Sequence, residues 1–224
     1  MWWDGQGQPD WAAWHDDYDR PGSSLAIRLA IVQDLLRRAL DCAPVGPIRM
    51  ISMCAGQGRD ILEVLPLHPR GIDVTARLVE LDASNVAYAR SRAVKDGLHQ
   101  VEIVQGDASI TNAYVGAVPA NIVVVCGVFG NLSNHDVQAT IQRLPEFCSP
   151  GAAVIWTRHR REPDLTPHIL EWFELAGFEL VQVEAPADTN WVGVGVHRLV
   201  GTPRPFVAHE QIFEFVREAT DTSQ

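Results

Sequence analysis

Apolar residues along this chain follow two rhythms, intervals of three and four in some stretches and short unbroken runs in others. After the break at Pro21-Gly22-Ser23, residues Leu25, Leu29, Val32, Leu36 and Leu40 recur at helical spacing. This predicts an amphipathic helix whose stripe packs on a sheet. Residues 48–53 predict a buried strand, followed by a short helix that starts at Gly58 and is stopped by Pro66, with Pro69-Arg70-Gly71 as the return loop. Runs at 76–81, 101–105 and 121–126 also read as strands, the last two dominated by Val and Ile with little alternation. Strands covered on both faces have that composition, so the sheet is expected to be mostly parallel.

Between these strands the helices carry their own punctuation. Ser84 reads as the N-cap of a helix over 84–97 that ends before Gly97, and Ser133 precedes a helix over 134–144. A helix over 167–176 is marked by Thr166 as N-cap, Pro167 in the first turn, Leu165 stapled to Leu170, and Gly177 at the stop. A strand follows at 178–184. The run Asn190–Leu199 alternates apolar with small or polar residues, and its short connection to the preceding strand implies antiparallel pairing. Residues 200–224 predict a helix around 208–218 and a polar tail. The expectation is a doubly wound α/β fold in a single domain over 1–224, with an N-terminal extension (1–45), a core (46–199) and a C-terminal tail (200–224).

Chemistry first shows at Met50-Ile51-Ser52-Met53-Cys54-Ala55-Gly56-Gln57-Gly58-Arg59-Asp60, where a strand run ends in a Gly-x-Gly turn that opens a helix. Such a turn admits close approach of a ligand to the backbone, and the N–H groups of the helix start present partial positive charge. A carboxylate that grips ribose hydroxyls is expected after the next strand, and Asp82 stands near that position. The following strands end in Gly106-Asp107-Ala108 and in Cys126-Gly127-Val128-Phe129-Gly130-Asn131, and Ser149-Pro150-Gly151 leads into Ala152-Ala153-Val154-Ile155-Trp156.

In this order the motifs resemble the class I S-adenosylmethionine (SAM)-dependent methyltransferases, and the resemblance covers roughly residues 48–199. It implies a Rossmann-like, seven-stranded sheet that closes with an antiparallel hairpin of its last two strands. It also implies a glycine loop around the methionine part of SAM (Ala55, Gly56 and Gly58), ribose contacts at Asp82 and Ala83, and adenine contacts at Asp107 and Ala108. Cys126 and Gly127 follow the fourth strand in the same crevice. The sequence departs from the family pattern twice. Ser52 stands where an acid is usual and Cys54 where the first glycine is usual. Asp60 then either binds the methionine amino group or stabilises the first helical turn through the dipole.

Methyl transfer from a sulfonium is an in-line displacement that needs positioning more than acid–base groups, with a base helpful for a hydroxyl acceptor. His159, just after the fifth strand, and His15, within Trp14-His15-Asp16-Asp17-Tyr18, are the candidates for that base. Each has a plain alternative, a solvated loop histidine for His159 and part of a core anchor for His15. His135, His168 and His197 read as structural. Trp2, Trp3, Trp11 and Trp14 are more than half of the chain's 7 tryptophans. The segment holding them is either a lid that excludes water from the acceptor or an anchor for the N-terminus. Trp14, Tyr18, Phe129, Asn131 and Arg158 are the expected substrate contacts.

Composition narrows the partners. A formal net charge of −10 leaves no electrostatic footprint for nucleic acid, and no Pro-Pro-Tyr follows the fourth strand, so a small neutral or cationic acceptor is expected. Cys42, Cys54, Cys126 and Cys148 are widely spaced, which suggests neither zinc nor a disulfide framework. Asp16, Asp17 and Asp60 read as solvated acids, and no metal is expected. With no signal-like start and no run of about 18 apolar residues, a cytoplasmic monomer or homodimer without membrane attachment is expected. Rival readings are an NAD(P)-binding oxidoreductase, whose third glycine is replaced by Ile61, and a catalytically idle SAM-binding partner.

Overall fold

The computed structural model describes residues 16–186 and 192–216. Its apolar runs form β1 (Ile48–Met53), β2 (Val74–Glu80), β3 (Val101–Gln105), β4 (Ala120–Val125), β5 (Cys148–Arg158), β6 (Phe178–Glu184) and β7 (Gly193–Leu199). One sheet holds all seven in the order β3-β2-β1-β4-β5-β7-β6. Strands β1 to β5 pair in parallel, and β7 lies antiparallel between β5 and β6. The order reverses between β1 and β4, the switch point beyond whose carboxyl ends open α/β sheets bind ligands.

Two apolar clusters cover the two faces. On one face lie α1 (Ser24–Cys42), α2 (Arg59–Leu62) and α3 (Ala83–Lys95), and on the other α4 (Asn134–Arg143) and α5 (Thr166–Leu175). Ser23 caps α1 by accepting the Ala26 N–H at 3.0 Å. The predicted stripe is only partly buried: Val32, Leu36 and Leu40 are in the core, whereas Leu25 and Leu29 are half-buried. The second half of α1 thus packs on the sheet while its first half is more open. Among the described residues no helix is long and apolar enough to cross a membrane.

Three expectations are corrected. Helix α3 starts one residue earlier than predicted, because the Asp82 carboxylate, not Ser84, caps it by accepting the Asn85 N–H at 2.8 Å. Thr166 lies inside α5 rather than before it, and the Asp164 carboxylate takes the Thr166 N–H at 2.9 Å. The helix expected around 208–218 is absent over the described residues 208–216. Ile212 and Phe213 are both buried there, and the backbone bonds to other loops rather than to itself. That chain is held by Thr111 N–H to Glu210 C=O, Ile212 N–H to Ser109 C=O and Val216 N–H to Asn131 C=O, each 2.9 Å. It ties together the loops that follow β3 and β4.

Beneath α5, Trp156 is fully buried against Phe173, with ring centroids 6.1 Å apart, and its indole N–H donates to His197 Nδ1 at 3.0 Å. Glycine at 195 is required there, since a Cβ would lie 2.3 Å from Trp156 Cζ2. His197 is 1% exposed, stacks on Phe173 at 4.1 Å, and has no partner for Nε2 among the described residues. Burial pushes its pKa from 6.5 down to about 4, so the folded protein keeps this ring neutral. As pH falls below 6.5 the unfolded chain takes up a proton that the fold refuses, and stability is lost down to about pH 4. Urea unfolding should show a loss of about 2–3 kcal/mol at pH 4.5 relative to pH 7.5 from this group. Asp60, raised to about 6, acts in the opposite direction over part of this range. The contribution is therefore read as the difference in pH dependence between the native protein and His197→Gln, which should have lost it.

Candidate functional site

At the carboxyl end of β1 the chain must turn sharply while leaving its amides accessible. Cys54 (φ 53°), Gly56 (φ 55°) and Gly58 (φ 66°) all adopt left-handed backbone. The cysteine that replaces a usual glycine therefore still takes the glycine-like conformation. At Gly58 packing adds to the requirement, since a Cβ would stand 2.7 Å from Leu78 Cδ2. The turn closes with Gly58 N–H to Ala55 C=O at 2.8 Å, and Leu62 N–H returns to Gly58 C=O at 2.8 Å to start α2.

The end of β2 brings in an acid that the sequence reading missed. Glu80 Oε2 accepts the Gly56 N–H at 2.7 Å and Oε1 accepts the Asp82 N–H at 2.8 Å, so one carboxylate joins the glycine loop to the next loop. Its signal was available: Glu80 is the last residue of a strand at the sheet's carboxyl edge. Asp82, the acid expected there, is engaged as the cap of α3, with Ala83 exposed as the first residue of that helix. From β3, Asp107 Oδ1 accepts the Ser109 N–H at 2.8 Å, and buried Ala108 gives its carbonyl to the Tyr114 hydroxyl at 2.8 Å. Burial pushes the Cys54 thiol up, and the charges of Glu80 and Asp107 push it in the same direction, so these three loops share one field. Ser52 is buried at the end of β1.

Across the switch point, Gly127 N–H donates to Thr157 Oγ1 at 2.8 Å, and Asn131 Nδ2 donates to Gly127 C=O at 2.7 Å. Cys126 is packed beside the α1 face, its thiol raised by burial and by Asp60 and lowered by Arg28 and Thr157. Asp60 accepts the Ile61 N–H at 3.0 Å, and burial raises its pKa to about 6 against the pull of that bond and of Arg28. Arg28, from the first half of α1, donates to the Tyr18 hydroxyl at 2.7 Å. Tyr18, Arg28, Asp60 and Cys126 thus form one cluster, of which the sequence reading had named all but Arg28.

The 3₁₀ turn Asp16–Asp19 is tied down beside the crevice. Arg59 grips both carboxylate oxygens of Asp19 at 2.7 and 3.1 Å, and its guanidinium lies over the rings of Tyr18 (5.5 Å) and Tyr88 (5.4 Å). His15 and Trp14, with Trp2, Trp3 and Trp11, lie outside the described residues.

One further expectation meets the structure differently. Phe129, expected to face a substrate, is fully buried between Trp156 and Phe173 and belongs to the core. A run of apolar residues after a strand does not reveal which of them turns inward. Arg158 extends from β5 and donates to the Phe129 carbonyl, and His159 sits beside Gly130, with Cδ2 3.7 Å from where a Cβ would be. The His159 pKa is pushed down by burial and by Arg158 and Arg161, so at neutral pH the imidazole is available to accept a proton. Among the described residues no group of His, Cys, Asp and Glu is placed to hold a metal ion.

A parallel sheet that switches at β1/β4, carries β7 antiparallel and gathers a glycine turn with acids at its carboxyl edge defines the Rossmann-like methyltransferase fold. The family model described as "Putative methyltransferase" matches residues 23–169, and the chain belongs to that family. Among curated proteins none matches. Among solved structures, an O-methyltransferase family protein from Burkholderia thailandensis superposes with TM-score 0.65 at 16% identity. The match covers 84% of this chain and 59% of that one, so the chain spans little more than half of that protein's length. The 1,6-didemethyltoxoflavin-N1-methyltransferase of Burkholderia thailandensis, solved with S-adenosylhomocysteine, gives 0.64 at 13% identity over 85% of this chain and 84% of that one. A glycopeptide N-methyltransferase complexed with SAM gives 0.55 at 17% identity over 76% and 94%.

Removing the Glu80 carboxylate leaves the Gly56 and Asp82 amides without their acceptor. Glu80→Ala should lower stability by about 1 kcal/mol in urea unfolding, whereas Glu80→Gln, which keeps one acceptor oxygen, should lose less.

Proposed function

We propose that this protein transfers a methyl group from S-adenosylmethionine to a small-molecule acceptor, at oxygen or nitrogen. The observation that carries this reading is the convergence of three carboxyl-side loops, Cys54–Gly58, Glu80–Asp82 and Gly106–Ala108, joined by the bond from Gly56 N–H to Glu80. The donor set suits an adenosyl sulfonium. Open glycine backbone would accommodate the methionine chain, Glu80 would receive the ribose diol, and Asp107 with Ala108 would border the base. Asp82 supports the same loop by capping α3, a different role from direct ribose contact. Asp60, half-buried and held near Arg28, is suited to the methionine ammonium, which makes good the charge that Ser52 lacks. Bound there, SAM supplies an electrophilic methyl group.

What the chain's own residues contribute is position and proton handling. The bond from Gly127 N–H to Thr157 orients the turn after β4, and neutral His159 receives a proton from the acceptor hydroxyl or amine. His15 is the second candidate for that base. The NAD(P) reading loses ground because Ile61, where a third glycine is needed, is a fully buried core residue. The net charge of −10 supports an acceptor other than nucleic acid.

Thermal unfolding with added ligand tests the reading. S-adenosylhomocysteine should raise the melting temperature by mass action and NAD should not, and Glu80→Ala should abolish the shift. Stabilisation by NAD alone overturns the proposal, and binding of SAM without methylation of any metabolite favours the idle-partner reading. On a methylated substrate, His159→Asn should lower kcat while leaving the S-adenosylhomocysteine shift intact. Full activity in both that variant and His15→Asn removes the assignment of a histidine base.

A further inference from the structure

In an acidic protein the end of β5 is locally basic, reading Arg158-His159-Arg160-Arg161. Arg160 is accounted for, since Asp164 Oδ2 meets its Nε at 3.3 Å while Oδ1 takes the Thr166 N–H at 2.9 Å. With Asp164 so engaged, no carboxylate among the described residues forms an ion pair with Arg158. Its guanidinium is half-buried, donates to the Phe129 carbonyl, and leaves Nε buried without a partner. The next residue repeats the feature, because His159 Nδ1 is also buried and unpartnered. Buried polar groups are normally paired, so a half-buried guanidinium that its own fold satisfies only in part, with Asp164 acting on it at a distance but in no ion pair, is open to an acceptor from outside the chain.

Their location says which ligand would provide it. Arg158 and His159 flank the loop after β4, across the switch point from the glycine turn, Glu80 and Asp107. That is the acceptor side of the crevice under the methyl-transfer reading, on which this inference rests. We propose that the methyl acceptor carries an oxyanion, a carboxylate or a phosphate, received by Arg158, with its methylated atom beside His159. The planar fork of a guanidinium matches such groups in two-point contact. An anchor of this kind also holds the nucleophile in a fixed place relative to the methyl group, which is the main requirement of the displacement. A neutral or cationic acceptor, expected from the overall charge, would bring Arg158 no counter-charge, because net charge does not set the local field.

The test separates a metabolite extract on ion exchangers before the reaction and incubates each fraction with the protein and methyl-labelled SAM. Label should enter the fraction retained on the anion exchanger. Phosphatase treatment of that fraction should abolish labelling for a phosphate monoester and leave it for a carboxylate, and either outcome upholds an oxyanion. Arg158→Gln should lower kcat/KM on that fraction by about tenfold to a hundredfold, the effect of losing a charged pair, with Arg158→Lys intermediate. The S-adenosylhomocysteine thermal shift should be unchanged in both variants. Label only in the cationic or unretained fractions, no label in the anionic one, or undiminished labelling by Arg158→Gln overturns the inference. The fractionation decides by itself where Arg158→Gln does not fold. Failure of the native protein to bind S-adenosylhomocysteine overturns the methyl-transfer reading instead.

Discussion

The Glu80 carboxylate is the constraint around which the crevice is arranged. Parallel strands end with amides that have no neighbour in the ladder, and in the left-handed turn Cys54–Gly58 the Gly56 amide finds its acceptor only in a side chain at the end of the next strand. By accepting from Gly56 on one side and Asp82 on the other, Glu80 sets the distance between the first two loops of the sheet. Asp82, aligned by that bond, caps α3, and α3 in turn covers β2 and β3. One side chain therefore couples the glycine turn to the start of the helix beside it.

Around this centre the protein distributes charge unevenly. Acids line the β1, β2 and β3 side, where Glu80 and Asp107 together act on the Cys54 thiol. On the other side Arg158 stands at the end of β5, bonded to the loop after β4. A cationic sulfonium and an anionic acceptor would each meet the opposite sign, an arrangement that a net charge of −10 conceals. The N-terminal turn adds to this rim, held by the two-point contact of Arg59 with Asp19 and by the Arg28–Tyr18 bond. The extended chain at 210–216 holds the rim from the opposite side by bonding the loops after β3 and β4.

Much of this was legible from local pattern. The Val and Ile runs of β3 and β4, the helical stripe of α1 and the Pro167/Gly177 bracket of α5 each depend on neighbours within a few residues, where periodicity and capping operate. The glycine turn was readable for the same reason, whereas only the structure shows that Cys54 takes the backbone conformation of the glycine it replaces. Glu80 was passed over because Asp82, two residues on, fits the spacing of a ribose acid equally well. Only the paired amides reveal which carboxylate faces the loop.

Sequence alone determined the class of fold, the order of its elements and the positions of the loops that bear chemistry, because these follow from local propensity and from burial on one or both faces of an element. Tertiary structure decided which residues share a site. Phe129 turned into the core rather than toward a substrate, Arg28 met Tyr18 and Asp60, and Arg158 reached the loop after β4. Those juxtapositions depend on the strand order and the handedness of its crossovers, which bring together residues distant in sequence. No local rhythm of apolar and polar positions carries that information, since it arises only when the faces of all the elements are buried at once.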